Sequence, residues 1–590
     1  MEKFLSTVKK TADILRDGFF EKLFACWLFA ATGILILSKG DISLGNTDIL
    51  NTVILFAVSF ISLTAVSVRL QGIYYPVLTL SVMLFSSVLL FFDNSIYTFI
   101  ATGILFALSC YHYISKRKSR GKKTHEKYVI LTALLFALLF FGSVTAISVI
   151  RQIGFMTPNF DFGIFCNIFH NMKESFRPLA SCERDKILSH FAVHLSPALY
   201  ILLPFYFIFP SPVTVAVLQT AAVFSGMIPF MLLMKLKELS PKLRIVLSVM
   251  YLANCAFSAG CFYDFHENCL LVPFLMWMFF FYEKKKYPLM LLFALLTLTV
   301  KEDAFVYVLV FAAYIFLCDR NYRQGIGLAL ISGAYFLFAC HYIDSYGTGI
   351  MSYRFENMIE GEEGLFGVIK TVLFDPQYTV RQIFFTEDAS SDKLFYFIMM
   401  MAPLAFIPFF TKKKARLILV LPILMNLLTL YTYQYDITFQ YSFGISALLM
   451  YASILNISEM KPERKNLFAV TAAGLAVMLF SMTVFPALQD DIERYSENKA
   501  MYDEMTEVLT LVPEDASVAA TTYLVPHLAD RTQIYEAHRT EHKDVEFLVL
   551  DMRPANRSTS LKVLENFKEH GFEEYNTTSD YIHIYKNPNT

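Results

Sequence analysis

Long apolar runs dominate the pattern of hydrophobic and polar positions along this chain. Stretches of roughly 17 to 24 apolar residues recur between Phe24 and Pro486, with short polar connections between them. A helix of that length crosses the hydrocarbon core of a bilayer, and in lipid such runs must be helical because each backbone polar group has to be satisfied within its own segment. The pattern predicts about 13 to 15 membrane-spanning helices. The segment 189–210 is ambiguous, since it fits either a crossing or a helix lying along the interface.

The pattern changes after the last apolar run, near residues 467–485. Charged residues return, and helical periodicity at 497–511 and 560–570 alternates with short β-like runs at 517–522, 546–551 and 581–585. These features predict an all-α polytopic membrane protein that ends in a small α/β domain. The expected division of the chain is 1–127 for four N-terminal helices and a basic connection, 128–487 for the membrane core, and 488–590 for the terminal domain.

Composition agrees with a membrane protein. Hydrophobic residues make up 56% of the 590 positions and charged residues 17%, whereas soluble domains carry about 25% charged residues. The net charge is −1 and there is no basic domain, so we expect no nucleic-acid partner. Cys166 and Cys182 fall in one connection and would pair only if it faces an oxidising space and brings them close together, which stays open.

The distribution of Lys and Arg predicts the orientation. The most basic connection, Lys116–Lys127, is expected in the cytoplasm, and the four apolar segments before it place the N-terminus there too. A fifth segment, 128–150, then leads outward to the semi-polar stretch 151–194. An odd number of crossings places the terminal domain outside the plasma membrane. The connections predicted to be cytoplasmic are basic: 235–244, 283–288, 319–325, 411–416 and 458–466. Those predicted to be outside are acidic, aromatic or mixed: 263–268, 301–303, 344–393 and 433–440.

Ionisable residues close to membrane depth are costly and therefore mark candidate functional sites. Asp161, in the predicted outer sequence TPNFDFGIFCNIFHNM, follows a membrane helix in an aromatic setting. A partly desolvated carboxylate there suits a general base. The residue types alone favour a simpler interpretation, in which Asp161 caps the helix that begins at FGIFCNIF.

Two further groups combine imidazoles and carboxylates. His190 and His194 in SHFAVHLSP are four positions apart and would share one face of a helix. They suit metal ligands or a phosphate site, or the polar face of an interfacial helix. Asp264, His266 and Glu267 in YDFHEN suit a divalent cation, and equally a solvated turn.

A fourth group interrupts an apolar run at LTLTVKEDAF. Lys301, Glu302 and Asp303 either end a span or place an ammonium where it neutralises a lipid-linked phosphate. Together the four groups collect carboxylates, imidazoles and an ammonium on one side of a helical bundle. That arrangement suits an enzyme whose donor is a membrane-embedded polyprenyl phosphate.

These same motifs resemble a known family. FDFGIF, LSHFAVHLSP, LLPFYFIFPSPVTVAVLQT, FYDFHEN and TVKEDAF are similar, in order and spacing, to the bacterial predicted membrane proteins of domain of unknown function 2079. The likeness is close over about residues 150–320 and looser at QYDITFQYSF and VPEDASVAATTYLVPHLADRTQIYEA. That family in turn resembles the GT-C glycosyltransferases, multispanning enzymes that use lipid-phosphate sugars.

The resemblance implies a GT-C-like core with Asp161 at the position of the catalytic carboxylate. Many GT-C enzymes carry a second acidic residue beside the first, but here Phe162 follows. Asp185, Asp264 or Glu267 would have to replace it, so dependence on a divalent cation stays open.

The expected function is transfer of a sugar from a polyprenyl-phosphate donor to an extracytoplasmic acceptor, with membrane lipid and the lipid-linked donor as partners. A transporter or flippase for a lipid-linked substrate, or a non-catalytic scaffold, are the alternatives; a transporter would favour ionisable residues in mid-helix and paired broken helices. Asp161 would be the base. The residues expected to bind substrate are His190, His194, Asp264, His266, Glu267, Lys301, Glu302 and Asp303.

Overall fold

The computed structural model describes residues 16–41, 48–116, 125–347, 349, 352–359, 364–386 and 389–590. Most of the basic connection Lys116–Lys127 and the N-terminal positions before residue 16 lie outside these ranges, as do parts of the connection 344–393.

Long apolar helices form most of the described chain. Nine of them are long and apolar enough to cross a membrane, and a tenth candidate consists of two pieces bent by 41°. The nine helices are Phe19–Leu37, Ile49–Arg69, Tyr74–Phe92, Ile96–Lys116, Glu126–Ile153, Pro212–Leu236, Tyr322–Tyr346, Gln440–Glu459 and Pro462–Glu497, and the bent pair is Pro241–Leu252 with Cys255–Cys261. Within the described ranges, the number of full-length spans is therefore lower than the 13 to 15 predicted.

The difference arises because several apolar runs form short helices. A helix of 13 residues rises about 20 Å, which is less than the hydrocarbon core of about 30 Å. Between residues 189 and 210 the longest helix, Leu203–Ile208, has six residues, so this segment is not a spanning helix. The other short helices of the core are Ile164–Ser175, Leu271–Glu283, Tyr287–Leu298, Phe305–Leu317, Gly364–Phe374, Pro376–Phe384, Ser390–Met401 and Ile423–Leu428.

Polar contacts gather the predicted cytoplasmic connections at one end of the bundle. Each contact joins two different connections or helix ends, and together they form a continuous series. The contacts are Arg244–Glu126 at 2.5 Å, Lys237–Glu283 at 2.5 Å, Tyr282–Asp319 at 2.9 Å, Lys413–Asp319 at 3.6 Å and Arg416–Glu459 at 2.7 Å. We call this the basic end of the bundle.

The terminal part of the chain is an α/β unit. Two short antiparallel strands in the core, β1 (Leu179–Ala180) and β2 (Leu188–Ser189), precede it along the chain. Its elements are the helices Lys499–Leu509 and Arg557–Lys568 and the strands β3 (Val518–Ala520), β4 (Ile534–Glu536), β5 (Phe547–Asp551), β6 (Glu573–Asn576) and β7 (Ile582–Lys586). The five strands form one sheet in the order β4-β3-β5-β7-β6, in which β3 is parallel to β4 and β5, and β7 is antiparallel to β5 and β6. The predicted fold class, a polytopic helical membrane protein with a small α/β domain at its end, is confirmed.

The cysteines are thiols throughout. All nine lie in the described part of the chain, and each is free, including Cys166 and Cys182. The structure thus contains no Cys166–Cys182 disulfide.

Candidate functional site

A cavity of about 210 Å³ lies at the end of the bundle away from the basic end. The helix Glu126–Ile153 connects the two ends, since Glu126 pairs with Arg244 and the residues after Ile153 lead into the cavity wall. Predicted site residues from four separate motifs line this cavity: Asp161, His190, His194, His266 and Lys301. The fold therefore brings together groups that are 140 positions apart in sequence.

Asp161 presents a carboxylate without a partner. It lies in the turn Asn159–Gly163, between the helices Glu126–Ile153 and Ile164–Ser175, and its side chain makes no hydrogen bond or ion pair with any residue that the structure describes. The N-cap position of the second helix is Gly163, with no side-chain cap, so Asp161 does not have the capping role that residue types favoured. Burial raises the pKa of Asp161 to about 6, against the opposing effect of Lys301.

Lys301 and His266 share one buried carboxylate. The Nζ atom of Lys301 lies 3.3 Å from Oε1 of Glu267, and Nδ1 of His266 lies 3.0 Å from Oε2 of the same side chain, which is fully buried. The helix Pro212–Ser225 holds this loop, because Gln219 accepts the N–H of His266 at 2.7 Å and donates to the carbonyl of Tyr263 at 2.9 Å. Burial opposes the charge of Lys301, yet Glu267 raises the pKa of that ammonium.

Two Glu–His pairs place their imidazoles in the cavity wall, and the pKa values of the two imidazoles shift in opposite directions. Nδ1 of His190 lies 3.0 Å from Glu183, and Nδ1 of His194 lies 2.8 Å from Glu302. Burial lowers the pKa of both imidazoles, but Glu183 outweighs it at His190, whose pKa is raised. At His194 burial and the nearby charge of Lys301 outweigh Glu302, and the pKa is lowered.

The histidines do not form the metal-ligand pair that their spacing suggested. Residues 190–192 form a single short turn instead of an α-helix, and each Nδ1 binds a different carboxylate. Among the described residues, no group of three or more His, Cys, Asp and Glu side chains is arranged to hold a metal ion.

Several cavity residues were missed by the sequence reasoning. Arg354 donates to the hydroxyl of Tyr441 at 3.0 Å, and its guanidinium lies 4.6 Å from the ring centre of Tyr431. Glu183 and Arg184 line the same cavity. The aromatic sequence QYDITFQYSF contains Tyr441 and was a signal for it, but Arg354 lies in a long connection with nothing local to mark it.

Other predicted residues lie away from the cavity surface. Asp264 is buried at a second, smaller cavity beside Arg151, and burial raises its pKa. Asp303 lies near Lys301 and is partly buried, with its Oδ1 atom enclosed, and burial raises its pKa as well. Asp185 faces the terminal domain, where it accepts a backbone N–H at 2.9 Å. Asp264 and Asp185 therefore do not line the cavity that contains Asp161.

The sequence matches the predicted membrane protein family DUF2079 over residues 151–581. The chain belongs to this family. The matched region contains every residue of the cavity wall, as well as most of the terminal α/β domain.

Solved structures similar to this DUF2079 protein have low sequence identity to it. ArnT from Cupriavidus metallidurans bound to undecaprenyl phosphate has a TM-score of 0.45 and 10% identity, covering 78% of this chain and 98% of that one. The apo state of the same enzyme has a TM-score of 0.41 and 12% identity, covering 78% and 97%. Such scores carry no argument about activity. No curated protein matches the sequence.

The terminal domain of the DUF2079 chain holds the turn that carries Asp161. Asn159 donates from its side chain to Glu536 at 2.8 Å and from its backbone N–H to the hydroxyl of Thr522 at 3.2 Å. Glu536 ends β4 and Thr522 follows β3, so both lie at the carboxyl edge of the parallel strands. The terminal domain approaches this turn so closely that a Cβ atom added at Gly163 would lie 2.9 Å from a methyl group of Val525. The terminal domain thus contacts the turn that carries Asp161.

Proposed function

We propose that this protein is a membrane glycosyltransferase that moves a sugar from a polyprenyl-phosphate donor to an extracytoplasmic acceptor. One observation carries the proposal. The unpartnered carboxylate of Asp161 shares a cavity at the end of a membrane helix bundle with the cationic side chains of Lys301 and Arg354. An enzyme of this kind needs a base for the acceptor and fixed cations for the departing phosphate.

The cations suit the phosphate of the donor. Lys301 provides a compact charge and Arg354 a planar fork of donors, held by stacking on Tyr431. In the transition state the bond between the sugar and the phosphate oxygen breaks, and these cations stabilise the negative charge that develops there. The acceptor hydroxyl attacks the sugar carbon, and Asp161 removes the proton of this hydroxyl during the attack.

An exposed apolar segment offers a route for the lipid chain of the donor. The segment after His194 exposes Phe205, Phe207, Ile208 and Phe209, each with between 42 and 68% of its surface accessible. Large exposed apolar side chains beside a membrane bundle indicate contact with lipid. We place the polyprenyl chain along this segment, with its phosphate in the cavity.

The proposal includes an orientation. The basic end of the bundle lies in the cytoplasm by the positive-inside rule, so the cavity and the terminal domain face outward at the plasma membrane. The N-terminus is cytoplasmic. The chain divides into the N-terminal helices 1–127, the membrane core 128–487 and the outer domain 488–590.

The lipid-linked and cell-surface glycans of the host test this function. We expect deletion of the gene to remove one sugar and to cause its polyprenyl-phosphate precursor to accumulate, as measured by mass spectrometry against the wild type and a complemented strain. An unchanged profile, under conditions where the wild-type protein is produced, would contradict the proposal. The accumulated precursor would also identify the donor for assays in vitro.

Transfer is expected to fall in acid as Asp161 takes up a proton. A base must be ionised to accept the proton of the acceptor, and the pKa of Asp161 is raised to about 6. The rate is therefore expected to fall tenfold per unit as the pH drops below about 6. An acid limb near pH 4, the ordinary range for Asp, would show that Asp161 is not the titrating base.

Asn159→Ala is expected to lower kcat without weakening phosphate binding. The change removes the side-chain hydrogen bond to Glu536 and leaves the turn of Asp161 less well held. A misplacement near 1 Å costs roughly 10²-fold in rate. Turnover and the affinity for undecaprenyl phosphate would be measured for this variant and for Asn576→Ala, in the distant strand β6. Equal turnover in both variants would refute the role of Asn159.

A further inference from the structure

In the Glu183–His190 pair, the carboxylate contacts one ring nitrogen of His190, Nδ1, and leaves the other, Nε2, as a hydrogen-bond donor on the far side of the ring. Nδ1 of His190 lies 3.0 and 3.1 Å from the two oxygens of Glu183, so both oxygens of the carboxylate contact this nitrogen. Nε2 is buried and has no hydrogen-bond partner among the described residues. Both residues line the cavity that contains Asp161 and Lys301. A buried polar nitrogen without a partner is costly, which points to a ligand atom that completes it.

We propose that His190, positioned by Glu183, is the acid that gives its Nε2 proton to the phosphate leaving group of the donor. The proposal rests on the proposed function and adds a second proton transfer to it. It makes Glu183 a positioning residue, which sequence reasoning did not single out.

The proton balance of the step is complete. The acceptor oxygen forms a bond to the sugar carbon while the bond from that carbon to the phosphate oxygen breaks. The hydroxyl proton of the acceptor moves to Asp161, and the Nε2 proton of His190 moves to the released polyprenyl phosphate. A phosphate monoester has a second pKa near 6, close to the ordinary value of an imidazolium, so proton transfer between the two is nearly balanced.

The surroundings of His190 favour the charged imidazole. Facing groups are the carboxylates of Glu183 and Glu267, the ammonium of Lys301, the ring of His266 and the ring of His194, the last 5.8 Å away between centroids. Asp161 also interacts with it across the cavity. Glu183 is in direct contact with His190, whereas the ammonium of Lys301 is paired with Glu267. The pKa of His190 is raised as a result.

The second Glu–His pair provides a matched comparison. His194 has the same kind of contact with Glu302, yet burial and Lys301 lower its pKa, so it is neutral at a pH where His190 is charged. Two similar groups whose environments move their pKa values apart are the usual pattern of an acid and its neutral neighbour. Removing each carboxylate in turn therefore separates a protonation effect from general damage to the cavity.

The test measures binding of undecaprenyl phosphate, the probe for the leaving group, to the full-length protein in nanodiscs between about pH 5.5 and 9. Affinity of the wild type should fall as pH rises through the pKa of His190. In Glu183→Gln the fall should begin at least about one pH unit lower, because one unit is the scale of a lost carboxylate contact. In Glu302→Gln its midpoint should stay at the wild-type pH. The titration of the phosphate itself is common to all samples.

Two more variants guard against misfolding. His190→Gln should bind weakly with no alkaline fall, and Glu183→Asp should restore the wild-type midpoint because it keeps the carboxylate. Thermal melting of each purified variant shows that it is folded. A uniform loss of affinity at every pH in Glu183→Gln, or an unmoved midpoint, would overturn the acid role. Absence of any binding by the wild type would instead overturn the proposed function.

Discussion

Asp161→Asn is expected to reduce sugar transfer by about 10²- to 10⁴-fold, the contribution of a positioned general base. The amide has the shape of the carboxylate but does not accept the proton of the acceptor. Binding of undecaprenyl phosphate should not weaken, because the change removes a negative charge near Lys301. Release of polyprenyl phosphate from the donor and the affinity for the lipid would be measured on the same purified protein.

Asp185→Asn is the matched control for this variant. Asp185 lies in the same connection, but its side chain faces the terminal domain and contacts a backbone N–H there. We expect transfer within about twofold of the wild type, since surface substitutions usually change stability by no more than about 0.5 kcal/mol. Transfer that survives Asp161→Asn would remove Asp161 from the role of base.

Lys301→Ala is expected to have the second large effect, on binding and on stability together. Hydrogen bonds to charged groups contribute about 1.5–3 kcal/mol, so affinity for undecaprenyl phosphate should fall by at least about tenfold. The change also leaves Glu267 fully buried without its cation. Removing one partner of a buried ion pair costs roughly 3–5 kcal/mol, so the thermal midpoint should fall as well.

A double variant separates the two effects of Lys301. Lys301→Met with Glu267→Gln removes both charges while keeping the side-chain volumes close to the originals. Stability should recover, because no uncompensated charge stays buried, while affinity for the lipid phosphate should stay low. Wild-type affinity in the double variant would mean that Lys301 is structural and does not bind the phosphate.

Local patterns in the sequence predicted much of the fold. Apolar runs give helices regardless of what surrounds them, and the runs at 517–522, 546–551 and 581–585 appear as β3, β5 and β7. The number of full spans was not predictable in the same way. Thr299–Ala304, for example, separates two short helices whose lengths depend on packing inside the bundle.

The candidate site was predictable only where ionisable residues interrupt apolar sequence close to membrane depth. Asp161, His190, His194, His266 and Lys301 came from such motifs, and the structure places all five at one cavity. Arg354 and Glu183 stand among ordinary polar residues, and only the tertiary fold brings them there. Spacing misled at the histidines, because the four-residue interval suggested a helix where the chain makes a short turn before Pro197.

The contacts of Asn159 have a consequence for the order in which the protein is made. Its partners Thr522 and Glu536 follow it by 363 and 377 positions. During synthesis the turn of Asp161 therefore reaches the membrane long before the strands that contact this turn have been made. Since domains generally fold as units during synthesis, the membrane bundle assembles first and the site is completed last. A nascent or truncated chain can thus reside in the bilayer with its helices in place but without the two contacts that hold the turn of Asp161.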